Sequence, residues 1–217
     1  MSESVTQHAA KTALTMICFA LIGTAALAFI FEQTKAPIAA SEAEARLALF
    51  QQVLPKNTYD NDILKNSISI SPDPLLGNTQ ATVANIATSN GAPVGIILEA
   101  IAHDGYSGDI KLLIAVRADG SLSGVRVLTH KETPGLGDYI DILKDDWITQ
   151  FNDESLTKTA EIFWKVKKDG GKFEYMAGAT ITPRAVVSAV HKALLYFSKH
   201  QQELFSKLPS PMTKEQP

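Results

Sequence analysis

Two threonine hydroxyls stand out in this 217-residue sequence as groups placed for chemistry. They lie in Glu174-Tyr175-Met176-Ala177-Gly178-Ala179-Thr180-Ile181-Thr182-Pro183-Arg184, between a Gly-Ala pair and an apolar repeat of helical period. Gly178 and Ala179 let a bulky group approach the backbone, and Thr180 precedes a helix start. Unpaired N–H groups and the positive end of the helix dipole there favour an anion such as phosphate, with Arg184 as a helper. The same two threonines also suit plain turn and capping duties, and the residues alone leave both readings open.

Other catalytic constellations are missing. There is no His-x-x-x-His helix, nucleophile elbow, Walker loop or dinucleotide fingerprint. The five histidines, His8, His103, His130, His191 and His200, show no metal-ligand spacing. A formal charge of −3 offers no basic excess to track a phosphate backbone, so nucleic acid is not an expected partner. One cysteine, Cys18, cannot build a disulfide framework or a cysteine-based zinc site.

The elements that must position the threonines can be read from periodicity. Thr182 as N-cap and Pro183 at the first helical position predict a final helix with Val186, Val187, Val190, Leu194 and Phe197 as its buried stripe. Upstream, Ala81–Thr88 and Val94–Ala102 flank the hairpin dipeptide Asn90-Gly91, and Ile110–Arg117 and Leu122–Leu128 flank Ala118-Asp119-Gly120. A four-strand antiparallel meander is expected, its middle strands joined by Gly105-Tyr106-Ser107-Gly108. The spacing of Ile142, Leu143, Trp147 and Phe151 predicts a helix between Asp138 and Phe151, and Ile162–Val166 reads as a further strand.

The run from Ala13 to Phe31 holds 19 residues without a charge; as a helix it spans roughly 28 Å, close to the hydrocarbon core of a bilayer. It reads as an uncleaved anchor contacting membrane lipid, since a signal peptide has a shorter apolar region and an early small-x-small site. Ser41-Glu42-Ala43-Glu44 has the form of a capping box, which predicts a separate helix over about Glu42 to Val53. The expected organisation is α+β: residues 1–12 before the anchor, the transmembrane helix 13–31, a membrane-proximal helix and connection 32–78, a domain of antiparallel sheet and flanking helices 79–208, and a loose tail 209–217.

Gly178-Ala179-Thr180-Ile181-Thr182 resembles the flavinylation motif of FMN-binding domains, in which a threonine hydroxyl carries FMN through a phosphoester. The Gly105–Gly108 loop, the segment His130-Lys131-Glu132-Thr133-Pro134-Gly135-Leu136-Gly137, Trp147, Phe151 and the N-terminal anchor occur in the same order in the G subunits of bacterial Rnf/Rsx electron transport complexes. The resemblance covers nearly the whole chain. It departs from the broad motif at two places: Glu174 keeps a carboxylate at the first, and Ala177 lacks the hydroxyl of the fourth.

The resemblance implies covalent FMN on Thr180, installed by an ApbE-type flavin transferase that uses FAD and releases AMP. It makes Gly178, Ala179, Thr182, Arg184, Lys131, Glu132, Thr133, Pro134, Gly135, Leu136 and Gly137 cofactor-binding candidates, with the Pro-Gly-Leu-Gly loop against the isoalloxazine ring. It implies a redox relay rather than an independent catalyst, in a complex that couples electron flow between NADH and ferredoxin, or another low-potential acceptor, to ion transport. The other subunits are then its partners, and its domain lies on the periplasmic face of a bacterial inner membrane. Two alternatives are the related C subunit of a sodium-translocating NADH:quinone oxidoreductase, which uses the same tether, and a cofactor-free, membrane-anchored assembly module, which would be colourless.

Overall fold

The computed structural model describes residues 5–207, so the expected tail 209–217 and the first residues of the 1–12 segment lie outside the described residues. Two units can be distinguished, one ending at Leu47 and one beginning at Ala48. The first consists of most of helix α1 (Val5–Val53). Its apolar side chains, among them Phe19, Ile22, Leu27 and Phe29, are exposed, and the helix is long and apolar enough to cross a membrane.

No helix starts at Ser41, contrary to the capping-box expectation: α1 runs through Pro37 and Ser41 without a break. A helix already propagating from upstream gains one hydrogen bond per residue and needs no new nucleus, so the capping signal is redundant there.

In the second unit the strands among the described residues form one antiparallel sheet: β1 (Ser67–Ile70), β2 (Thr82–Ser89), β3 (Ala92–Ala102), β4 (Ile110–Arg117) and β5 (Leu122–Thr129), in spatial order β1-β2-β3-β4-β5. The four expected strands are present; β1 is an addition. Its four residues, Ser67-Ile68-Ser69-Ile70, alternate polar and apolar, and Ile68 and Ile70 are buried.

Register places Ile86 opposite Ile96, Ile96 opposite Val116 and Val116 opposite Leu122, a row that faces the main core. Helix α2 (Ile181–Ser206) packs there over β3 and β4, and the predicted stripe from Val186 to Phe197 is buried in it. The other face is covered as well. Phe50, Val53 and Leu54 are buried, β5 at Gly124 approaches the Val53 backbone so closely that a Cβ would come within 2.9 Å, and Asn85 Nδ2 donates to Ile63 O at 2.8 Å. Double coverage explains why β3 and β4 are apolar at consecutive positions rather than alternate ones.

Two expectations fail between β5 and α2. In place of a helix over 138–151 there are 3₁₀ turns at Asp138–Ile140 and Trp147–Phe151. Aspartates compete for the backbone: Asp141 Oδ1 accepts from Leu143 N–H at 3.0 Å, and Asp145 Oδ1 from Trp147 N–H at 2.8 Å. Leu143, one of the four apolar residues whose spacing predicted the helix, is 87% exposed. Ile162–Val166 is likewise not a strand. Glu161–Phe163 forms a 3₁₀ turn, and only Val166 bridges in parallel to Phe173. Packing holds this segment instead, through rings in sequence: Tyr139 on Trp147, Trp147 on Phe151, Phe151 on Phe173 and Phe173 on Trp164, with centroids 4.8–5.5 Å apart.

Candidate functional site

A cavity of about 330 Å³ opens where the β3–β4 loop, the loop after β5 and the start of α2 converge. Tyr106 lines it from the first, Glu132, Thr133, Leu136 and Gly137 from the second, and Gly178, Ala179, Thr180, Ile181 and Thr182 from the third. Segments far apart in the chain are thereby brought to one place.

Two glycine turns shape the loops that form its walls. Leu136 N–H donates to Thr133 O at 3.1 Å, closing a turn with Pro134 at its second place and Gly135, φ +76°, at its third. Ala179 N–H donates to Met176 O at 3.1 Å, closing another with Gly178, φ +91°, at its third. A positive φ at that place is readily adopted only by glycine. Asp138 Oδ1 accepts from Gly135 N–H at 2.7 Å, and Tyr139 Oη from Met176 N–H at 3.2 Å, so each turn is held by a side chain of the same 3₁₀ segment. Burial raises the Tyr139 phenol above its usual pKa, which keeps it neutral.

Pro134 and Gly135 therefore build the turn without standing on the cavity wall. Lys131 is exposed and also lies off it. Arg184 is a turn into α2, and its fork is occupied by Asp169, with Nε to Oδ2 at 2.5 Å and Nη2 to Oδ1 at 2.6 Å. That guanidinium holds the Asp169 carboxyl below the usual carboxylate range. Tyr106 and Ile181 are wall residues that residue type and spacing did not single out; the Gly-Tyr-Ser-Gly loop was the available signal for Tyr106.

The helix start differs from the sequence expectation by two residues. Thr180, not Thr182, is the N-cap of α2, and Thr180 makes no side-chain capping bond although it is only 9% exposed. Its hydroxyl is thus available at a cavity wall beside the N-terminus of a 26-residue helix. Thr182 is inside the first turn, 1% exposed, and its hydroxyl donates to Glu132 Oε2. Glu132 Oε1 accepts from Ser107 N–H at 3.0 Å.

Chemically the cavity combines an apolar wall of Leu136, Ala179 and Ile181 with an aromatic ring, a free secondary hydroxyl and helix N–H groups suited to a phosphate. A flat, largely apolar molecule with a phosphate arm fits that set.

The sequence matches the family model of the FMN-binding domain over residues 105–195 and that of the RnfG N-terminal region over residues 1–53. It is 44% identical to the G subunit of the ion-translocating oxidoreductase complex of Pseudomonas aeruginosa, over 95% of this chain and 96% of that protein. To the corresponding G subunits of Shewanella piezotolerans and Vibrio cholerae it is 43% and 41% identical, over 90% and 93% of this chain and 92% and 95% of theirs. Among solved structures, NqrC of Shewanella oneidensis overlaps 70% of this chain and 74% of its own, with 18% identity and a TM-score of 0.46.

Proposed function

Because this chain belongs to the G subunits of ion-translocating oxidoreductase complexes, we propose that it serves such a complex as a membrane-anchored redox subunit carrying FMN on the Thr180 hydroxyl. The observation that carries the attachment reading is the position of Thr180: an N-cap residue on the cavity wall whose hydroxyl is not spent on capping. Attachment forms a bond from Thr180 Oγ1 to the flavin-side phosphorus of FAD and breaks the P–O–P anhydride. AMP leaves with the bridging oxygen, and the hydroxyl proton passes to a base of the ApbE-type transferase.

FMN, when bound, supplies one- and two-electron chemistry. The chain's own residues hold and orient it. Helix N–H groups at the start of α2 meet the phosphodiester charge, in preference to Arg184, whose fork Asp169 already fills. Leu136, Ala179 and Ile181 give apolar contact and exclude water, and Thr133 faces the same space. Residues 13 to 31 cross the lipid, a reading supported by the exposed apolar side chains of α1, and the sheet domain lies on the periplasmic side, where it passes electrons between neighbouring subunits on a route from NADH to ferredoxin or another low-potential acceptor.

Co-expression with the transferase, denaturing electrophoresis and peptide mass mapping test the reading. Wild type keeps flavin fluorescence after unfolding, with the added mass on the peptide containing Thr180; Thr180→Ala is folded and colourless. Flavin retained by Thr180→Ala, or a colourless wild type, overturns it.

A further inference from the structure

We infer that Glu132 is the positioning residue of the attachment site: a buried carboxylate that ties the three segments of the cavity together and thereby sets where the Thr180 hydroxyl points. The inference rests on the proposed attachment at Thr180.

Glu132 is 4% exposed, and among the described residues its carboxylate is met by neutral donors rather than by a cation. Burying a carboxylate is costly unless hydrogen bonds satisfy it, and here the donors come from two distant segments. Oε1 takes the Ser107 N–H of the β3–β4 loop, and Oε2 takes the Thr182 hydroxyl in the first turn of α2, two residues from Thr180. The third segment is its own loop, where His130 Nδ1 accepts from Glu132 N–H at 3.1 Å.

Glycines leave room for the carboxylate on both sides. A Cβ on Gly105 would meet Oε1 at 3.0 Å, and one on Gly137 would meet Oε2 at 2.8 Å and Thr182 Oγ1 at 2.9 Å. The carboxylate is therefore seated between two backbones that approach it closely, in a cavity whose wall it also forms. Since Thr180 contributes no capping bond of its own, the Thr182–Glu132 hydrogen bond is what holds the first turn of α2 to the cavity wall, while Arg184 at the end of that turn is held separately by Asp169. Displacing a reacting oxygen by about 1 Å can cost on the order of 100-fold in rate.

The test uses the full-length chain in detergent with purified flavin transferase and FAD, and compares wild type, Glu132→Gln and Glu132→Ala. Attachment is followed by in-gel flavin fluorescence, and amide exchange is followed on the same proteins before FAD is added. The expected result is a fall in kcat for attachment of roughly 10–100-fold in Glu132→Ala, with KM for the protein substrate changed by less than about twofold, because Glu132 is buried and its replacement leaves the outer surface intact. Glu132→Gln, which keeps one acceptor oxygen and the side-chain shape, shows a smaller loss of the same kind. Exchange accelerates at Ser107 and over residues 180–184 together in both variants.

Wild-type attachment rates in both variants overturn the inference, as does a rise in KM at constant kcat, or exchange that accelerates in only one of the two segments. If Glu132→Ala does not fold, Glu132→Gln decides by the same criteria. A wild type that takes up no flavin removes the Thr180 reading and this inference with it, whereas a labelled wild type beside unaffected variants removes this inference alone.

Discussion

At the scale of single residues, Thr182 carries a load that differs from a cap. Its hydroxyl satisfies half of a buried carboxylate, and losing a hydrogen bond to a charged group costs roughly 1.5–3 kcal/mol. Thr182→Val, which keeps the shape, should lower the unfolding free energy by about that much in denaturant titrations, with little change in helix content. Thr180→Ala should leave the same titration within about 1 kcal/mol of wild type, because no capping bond of its hydroxyl is lost and only one methyl leaves the wall. The pair of threonines was legible from the sequence, as were Glu132, Thr133, Leu136, Gly137, Gly178 and Ala179, which share the cavity. Their division of labour was not. Thr-Pro favours a cap at Thr182 locally, but α2 already starts at Ile181 and the Thr182 hydroxyl is taken by Glu132, 50 residues upstream. Ile181 had no signal either, since an apolar residue at a helix start fits a core position equally well.

At the scale of elements, the strand pattern was readable because β2 to β5 are long and bounded by turn residues, whereas the 138–173 stretch was not. Its apolar spacing mimics a helix, and only the aspartate side chains bonded to their own backbone reveal the competition. One connection elsewhere, at the end of β3, has a pH dependence of definite sign. His103 has Asp109 Oδ1 2.8 Å from Nδ1 and Gly77 O 2.7 Å from Nε2. Both partners are acceptors, so the doubly protonated ring satisfies both, and the Asp109 hydrogen bond, helped by that to Gly77 O, raises the His103 pKa above its ordinary value. The stabilisation is then fully present below the unfolded-state value of about 6.5 and is lost as pH rises through the folded value. The difference in unfolding free energy between wild type and His103→Gln should be larger at about pH 6 than at about pH 9. A difference that grows with pH would contradict the assignment of the ring as a donor at both nitrogens.

At the scale of the whole molecule, the anchor was visible in the sequence as a charge-free run, while the continuation of α1 to Val53 was hidden by a capping signal that the helix ignores. A reporter enzyme active only outside the cytoplasm, fused after Pro217, should be active, and one active only in the cytoplasm should be silent. The strict neighbour order of the strands has a further consequence, in time rather than in space. Each strand pairs with the one made just before it, so the sheet can zip as hairpins while the chain is still emerging. Helix α2 is the last of the described elements, ending at Ser206, and its first residues, with the turn before it, line the cavity. The proposed acceptor threonine is thus set in place only when α2 has docked on the sheet. In refolding experiments, competence for flavin attachment should lag behind the appearance of sheet signal, and the cofactor would then mark only those molecules that have completed their folding.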